Sequence, residues 1–432
     1  MKKLLVVLLL SFTASADDLP RRGMAGLMVG MEDDRVVVRN LIPGLPAEKA
    51  GFQAGDVIVT LDGAPVPSTQ DFTSRLGRHK GGETATIEST RGGTKKTTAL
   101  QLQEWPRETS AVYDATYGTV TADGNRYRTI VTTPKGKAPI ATLFIVQGVG
   151  CGSIDNPPPG SAYRALIESL SRRGFATLRV DKPGMGDSEG GPCATASFAT
   201  EVNAYRAALA SVKERKNVFL FGHSMGGIMA PLIVETAPPS GAEAAPLRGI
   251  AVYGMASSTW LQYSLENQRR QARLRGEAFE TIDADDRLAE KFVSLFYVQK
   301  QPLEKIVAEH AEYRQSFGDG KTLAAGKSGK YFQDLYDVPL MKSWKSTNAP
   351  VLAVWGASDF LTDGTEHEWL AAAVNSWRPG TAKYVKLDGI DHWLFKAADQ
   401  RASMDREGKD GEGEYDDRIA DLLAAFMTEH SK

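Results

Sequence analysis

The stretch Val-Phe-Leu-Phe-Gly-His-Ser-Met-Gly-Gly at 218–227 constrains the fold of this chain more than any other. An apolar, partly β-branched and aromatic run breaks into Gly-x-Ser-x-Gly, and the residues that follow, 226–237, read as a helix. A strand that turns into a helix this sharply leaves no room for side chains where the backbones approach, so small residues are needed at Gly222 and Gly226. Ser224, between them, is held out at the strand end with its hydroxyl exposed. The helix behind it aims unpaired N–H groups at any negative charge that develops there. With 42 Gly in 432 residues, the bare pattern arises by chance in roughly one such chain in four or five. Context and partners must carry the assignment.

The context is an alternation of strands and helices. Apolar runs at 141–146, 176–180, 218–221, 249–253, 350–355 and 382–387 each suit a buried parallel strand, and 161–173, 198–215 and 226–237 suit helices between them. This predicts an open, mostly parallel sheet covered on both faces. Ahead of it, 115–120 and 127–133 read as a hairpin around Ala-Asp-Gly-Asn at 122–125, entered through a connection at 105–125. Between 254 and 349 no convincing strand occurs, only charged amphipathic runs such as 287–297 and 302–313. An insertion this long predicts its own helical layer, a cap at 256–345 over the strand ends. Residues 22–104 form a separate unit of short β-type runs at 36–42, 56–62 and 84–90, with helical pieces at 47–50 and 68–76.

A serine hydroxyl needs a base to take its proton, and the base needs an acid to orient it. Four histidines follow Ser224. His310 and His367 fall on helical stretches and His430 is near the C-terminus. His392 alone follows a final strand, in the turn-rich Leu-Asp-Gly-Ile-Asp-His-Trp at 387–393, and is the expected base. In Val-Trp-Gly-Ala-Ser-Asp-Phe-Leu-Thr-Asp at 354–363, Asp359 and Asp363 compete as the acid, and Asp359, nearer the strand end, is preferred. Asp391 is too close to His392 in sequence to turn back onto its ring.

An oxyanion calls for two backbone donors: Met225 N–H, and an amide of Gln-Gly-Val-Gly-Cys-Gly at 147–152, with Val149 first and Gly148 second. The Gly-rich turn at 181–190 borders the same edge and lacks the Lys-Ser/Thr pair of a phosphate loop. Cysteines and histidines are too few and scattered for zinc, and the acids of 405–417, read as a solvated loop, lack calcium-loop spacing. No metal and no organic cofactor is expected.

The first 16 residues combine a basic start, a short apolar run and Ala-Ser-Ala, the pattern of a secretory signal peptide cleaved near Ala16. The mature protein is therefore expected to be periplasmic or secreted, with no integral membrane span. A net charge of −2 points to neither nucleic acid nor an anionic membrane as partner. Export also favours a disulfide between the only two cysteines, Cys151 and Cys193, over a pair of buried thiols. Both lie in loops after neighbouring strands, and closing about 43 residues contributes roughly 4 kcal/mol by loop entropy.

Two resemblances sharpen these expectations. Through Arg-Gly-Met-Ala-Gly-Leu-Met at 22–28, Pro-Gly-Leu-Pro-Ala-Glu-Lys-Ala-Gly-Phe-Gln-Ala-Gly-Asp-Val-Ile at 43–58 and Leu-Asp-Gly-Ala-Pro-Val at 61–66, the first unit resembles a bacterial PDZ domain of the HtrA-protease type. The resemblance implies a groove in which a peptide adds as a strand. The peptide's C-terminal carboxylate would sit at Ala25, Gly26, Leu27 and Met28, with the helix around 71–76 as the other wall. A domain that only packs on its neighbour is the alternative.

Residues 115–430 resemble an α/β-hydrolase of the esterase, lipase and serine-aminopeptidase-like group, through Gly-His-Ser-Met-Gly-Gly at 222–227, Gly-Ala-Ser-Asp at 356–359, Asp391-His392 and the 181–190 loop. Many relatives carry His-Gly where this chain has Gln147-Gly148. The fold class implied is an α/β-hydrolase with a helical cap insertion, preceded by a small β-rich PDZ-like domain. The activity implied is hydrolysis of a small acyl ester through an acyl-serine. A serine peptidase or aminopeptidase fed by the PDZ domain is the competing enzyme reading, and a peptide-binding scaffold with a passive hydrolase domain is the reading from another class.

Overall fold

The alternating runs build one eight-stranded sheet in the computed structural model, which describes residues 19–235, 247–406 and 413–431. The expected signal peptide lies outside the described residues. In chain order the strands are β1 (Tyr113–Ala122), β2 (Asn125–Pro134), β3 (Thr142–Val146), β4 (Ala176–Val180), β5 (Val218–His223), β6 (Leu247–Tyr253), β7 (Val351–Gly356) and β8 (Ala382–Leu387). They lie side by side as β8-β7-β6-β5-β3-β4-β2-β1. β3 to β8 are mutually parallel, and the β1–β2 hairpin joins antiparallel through β4. The hairpin turns on Asp123 and Gly124, both at positive φ (50° and 75°), as a two-residue connection between right-twisted strands requires.

Every residue of β3, β4 and β5 is buried. Because side chains alternate across a strand, Leu143, Ile145, Phe219 and Phe221 pack on one face with Leu166, Leu170 and Met427. Phe144, Val146 and Leu220 pack on the other with Tyr205, Ile228 and Met229. Burial on both faces is why these strands read as unbroken apolar runs. β8 departs from that expectation: it is half exposed, because it is the sheet's edge strand and has a neighbour on one side only.

The insertion is helical, with Trp260–Arg275, Phe279–Val293, Leu303–Glu309, Arg314–Phe317, Gly329–Tyr336 and Leu340–Ser346. It is bound into the main core through buried Phe296, Tyr331 and Trp344. The solvated loop expected at 405–417 needs correction. Asp405 closes the helix Gln400–Arg406, and Asp416 is buried against Arg418; residues 407–412 lie outside the described residues.

The first unit has a sheet ordered Leu27–Glu32, Arg35–Leu41, Val57–Leu61, Thr84–Arg91, Thr94–Gln101, with the helix Thr69–Leu76 against it. The strand Thr94–Gln101 escaped the pattern reading because Leu100 is its one fully buried residue. The segment entering this unit is anchored on the larger domain. Arg21, 4% exposed, donates to Asp187 at 2.5 Å and pairs with Asp155 at 2.7 Å. Arg22 N–H donates to Asp187 at 2.8 Å, and Arg128 donates to the Leu19 carbonyl at 2.6 Å. Buried charges in such a cluster are costly to separate, so the two units are clamped as well as linked.

Candidate active site

The turn after β5 forms as its spacing demands. A Cβ on Gly222 would sit 2.5 Å from the Gly226 carbonyl oxygen, and one on Gly226 would sit 2.1 Å from that of Val146. Ser224 itself adopts φ 55°, ψ −123°, a conformation non-glycine residues avoid. The surroundings enforce it: Ser224 N–H donates to the Tyr253 carbonyl at 2.8 Å, and the helix Met225–Val234 starts immediately behind. Residues 236–237 of the helix expected there lie outside the described residues.

His392 Nδ1 lies 2.8 Å from Asp359 Oδ2. The carboxylate is fully buried and satisfied on both oxygens. Oδ1 accepts Leu361 N–H (2.8 Å) and Thr362 N–H (3.0 Å), and Oδ2 accepts the Thr362 hydroxyl (2.6 Å) besides the imidazole. Burial pushes this carboxyl up, but the imidazole and the Thr362 hydrogen bonds outweigh it and hold it below its ordinary value. Asp363 is placed differently: its Oδ1 accepts Thr365 N–H at 2.8 Å and caps the helix Gly364–Trp377. Asp391 turns its carboxylate onto Trp393 N–H, Phe395 N–H and Arg406, not onto the His392 ring.

His392 is held from behind as well. Its carbonyl can only accept, so His223 Nε2, 2.7 Å away, carries the proton. His223 Nδ1 then accepts from the Tyr163 hydroxyl at 2.7 Å. Burial, reinforced by His392, pushes His223 down to about 3, so the ring stays neutral in this role. Tyr163 in turn accepts the Gly148 N–H at 3.3 Å. His367 is also buried, but its Nε2 accepts Met255 N–H and its Nδ1 donates to the Asp363 carbonyl, a scaffold role.

Ser224, Met225, Val149 and His392 border one cavity of about 520 Å³. Ile228, Trp260 and Phe332 supply an apolar wall, and Asn267, Gln268, Gln271 and Arg275 on one face of the helix Trp260–Arg275 supply a polar one. The structure thus gathers the expected Ser224, His392, Met225 and Val149 around one space, with Asp359 behind the imidazole. Met225, first in its helix, has an N–H without an intrahelical partner. Cys151 and Cys193 form a disulfide beside the Val149 loop, with Cα atoms 5.7 Å apart.

Sequence reading missed Gly254, whose added Cβ would lie 3.0 Å from His392 Nδ1 and 3.1 Å from Asp359 Oδ2. It also missed Thr362 and Tyr163. Gly254 does have a signal, its place directly after a central strand; the others have none. Among the described residues, no group of three or more His, Cys, Asp or Glu side chains could hold a metal.

Family models match two parts of this chain: a PDZ domain at residues 23–102, and a serine aminopeptidase, S33, at residues 159–395, which is more than half the chain. Esterase EstD of Thermotoga maritima is 24% identical over 307 residues, covering 69% of this chain. The match spans 64% of that esterase's length, just under two thirds. A probable periplasmic serine endoprotease, DegP-like, of Pseudomonas fulva is 35% identical over 72 residues, 17% of this chain and 15% of its own. Among solved structures, a highly thermostable carboxyl esterase from Bacillus coagulans in complex with glycerol aligns over 75% of this chain and 100% of its own, at 15% identity and a TM-score of 0.44.

Proposed function

We propose that this chain, which belongs to the serine aminopeptidase S33 family, is an exported serine hydrolase that cleaves a carboxylic ester through an acyl-serine intermediate. The observation that carries the reading is the buried Asp359–His392 pair, 2.8 Å apart, bordering the cavity into which the strained turn presents Ser224. In this reading His392 takes the Ser224 proton as Oγ attacks the acyl carbon, and Asp359 holds the imidazole with its protonated Nδ1 inward. Met225 N–H and Val149 N–H receive the oxyanion. Val149 is favoured over Gly148 because the Gly148 N–H is already directed at Tyr163. His392 then returns the proton to the leaving alcohol, and water repeats the sequence on the acyl-enzyme.

The cavity favours an ester over an N-terminal amine substrate. An aminopeptidase must balance the substrate's ammonium, yet the described residues lining this cavity include no carboxylate and one cation, Arg275. Its volume suits a small ligand, and the relationship to Esterase EstD points the same way. The disulfide and the match to periplasmic proteases support export.

A peptidase reading is favoured by one separate observation. The strand Leu27–Glu32 lies at the edge of its sheet beside the loop Ala25 to Met28, with Met28 and Met31 exposed, a surface suited to strand addition by a peptide C-terminus. The test compares aryl esters of increasing acyl length with aminoacyl anilides and peptides, on wild type and Ser224→Ala. Ester turnover that vanishes in Ser224→Ala, with anilides untouched, is expected. Serine-dependent cleavage of anilides at comparable kcat/KM would replace the esterase reading with the peptidase one.

A further inference from the structure

We infer that Lys182 is a positioning residue for the oxyanion site: its buried ammonium grips the carbonyls of Gly148 and Gly150 and so turns the Val149 N–H toward Ser224. The inference rests on the serine-hydrolase reading above and adds a residue to it.

Lysine is almost never fully buried unless paired, and Lys182 is 2% exposed. It makes no close ion pair. Its nearest carboxylate, Glu201, is 4.0 Å away and is itself engaged by Lys327 and by the Tyr331 hydroxyl at 3.0 Å. The Lys182 donors go instead to two carbonyls of one loop, Gly148 and, at 3.1 Å, Gly150. Burial lowers this ammonium to about 8 against the pull of Glu201, so it is charged at neutral pH.

Peptide geometry supplies the rest. In a trans peptide the C=O and the following N–H point in opposite directions, and the single cis bond among the described residues is Gly191–Pro192. A Gly148 carbonyl drawn down to Lys182 therefore sends the Val149 N–H away from Lys182. Val149 borders the cavity together with Ser224 and Met225, and Lys182 is not among the residues lining it. The spacing is tight, since a Cβ on Gly148 would sit 3.1 Å from Ser224 Cβ. No acceptor among the described residues takes the Val149 N–H.

A loop reading Gln-Gly-Val-Gly-Cys-Gly, with Gly150 at φ 123°, has no intrinsic reason to keep one peptide orientation. Lys182 and the Cys151–Cys193 disulfide supply that reason from two sides. Lys327, from the helical insertion, donates to the Cys193 carbonyl at 3.0 Å and to Glu201. One carboxylate, Glu201, thus balances both the loop clamp and the insertion that roofs the cavity.

The test is Lys182→Met in the full chain, which keeps the apolar stem and leaves Glu201 paired with Lys327. Steady-state kinetics on an aryl ester are read beside inhibition by a trifluoromethyl ketone, which forms the tetrahedral oxyanion. The inference predicts kcat lower by about 10- to 100-fold and KM within about threefold. The ketone Ki should rise by the same factor by which kcat/KM falls. A Ki unchanged while kcat falls, or kcat and Ki both within about threefold of wild type in a folded protein, overturns it. Should Lys182→Met fail to fold, Lys182→Arg carries the same test, because its displaced donors must move kcat/KM and ketone Ki together. If wild type shows no Ser224-dependent hydrolysis, the serine-hydrolase reading fails; if it does and Lys182→Met matches wild type, only this inference fails.

Discussion

Asp359→Asn should abolish most activity while leaving the fold in place, and the structure shows why an isosteric change would be so damaging. Oδ1 of Asp359 accepts two backbone N–H groups, from Leu361 and Thr362. An asparagine carbonyl must take that position, since an amide NH2 there would face two donors. The NH2 is thereby forced to the Oδ2 position, 2.8 Å from His392 Nδ1. Nδ1 would have to accept, placing the ring proton on Nε2, and the imidazole could no longer take a proton from Ser224. Loss of the correct tautomer is expected to lower kcat about 10³- to 10⁴-fold, roughly 4 to 5.5 kcal/mol of transition-state stabilisation. The assay is aryl-ester hydrolysis at saturating substrate, with thermal melting as a check on folding. Asp363→Asn is the control: asparagine caps a helix as well as aspartate does, and kcat should stay within about threefold. An Asp359→Asn protein that keeps more than about a tenth of wild-type kcat would refute the tautomer argument.

Gly254→Ala should lower kcat about tenfold with little change in KM, because its Cβ would press on His392 Nδ1 and Asp359 Oδ2 at 3.0 and 3.1 Å. Gly389→Ala has a similar positive φ, but its Cβ would meet only the Ala397 carbonyl oxygen at an ordinary 3.8 Å, and it should keep full kcat; equal losses would remove the contact argument. Arg21→Ala is expected to cost about 3–5 kcal/mol, since it strips a cation from buried Asp155 and Asp187. A shift of the urea midpoint worth under about 1 kcal/mol would show that the two units are not clamped there. His223 has its folded pKa pushed down to about 3 against about 6.5 unfolded. The unfolded chain therefore binds the extra proton between those values, and the His223 contribution, complete above pH 6.5, drains by about 1.4 kcal/mol per pH unit as pH falls. Stability of His223→Gln should decline less steeply than wild type across that window, and parallel curves would contradict the assignment.

The chemistry-bearing turn was legible because sequence spacing and sterics are the same thing there. A Cβ on Gly222 would meet Gly226 and Gly227 a few residues on, so that requirement shows in the chain itself, whereas the requirement at Gly226 comes from Val146 on the neighbouring strand. The Asp359–His392 contact was legible through chain order and strand ends, not through any local pattern, and these alone left Asp363, which caps a helix, as a rival acid. The mostly parallel sheet was readable from apolar periodicity, and the α/β-hydrolase fold and the PDZ domain from the resemblance carried by their motifs. Lys182 was not. Its neighbours Asp181 and Pro183 say nothing of the Gly148 and Gly150 carbonyls above it, and a lysine in a Gly-rich loop looks like any solvated one. The half-exposed β8 and the polar strand Thr94–Gln101 were misjudged or missed for a related reason. Edge position and hydrogen-bonded pairing are properties of the neighbour, not of the strand.

The most direct measurement is to treat the full chain with a fluorophosphonate and map the adduct by mass spectrometry. The account predicts a single phosphonyl adduct on the peptide carrying Ser224, absent in Ser224→Ala and strongly slowed in Asp359→Asn. An unlabelled wild-type protein, or an adduct on any other residue, would contradict it.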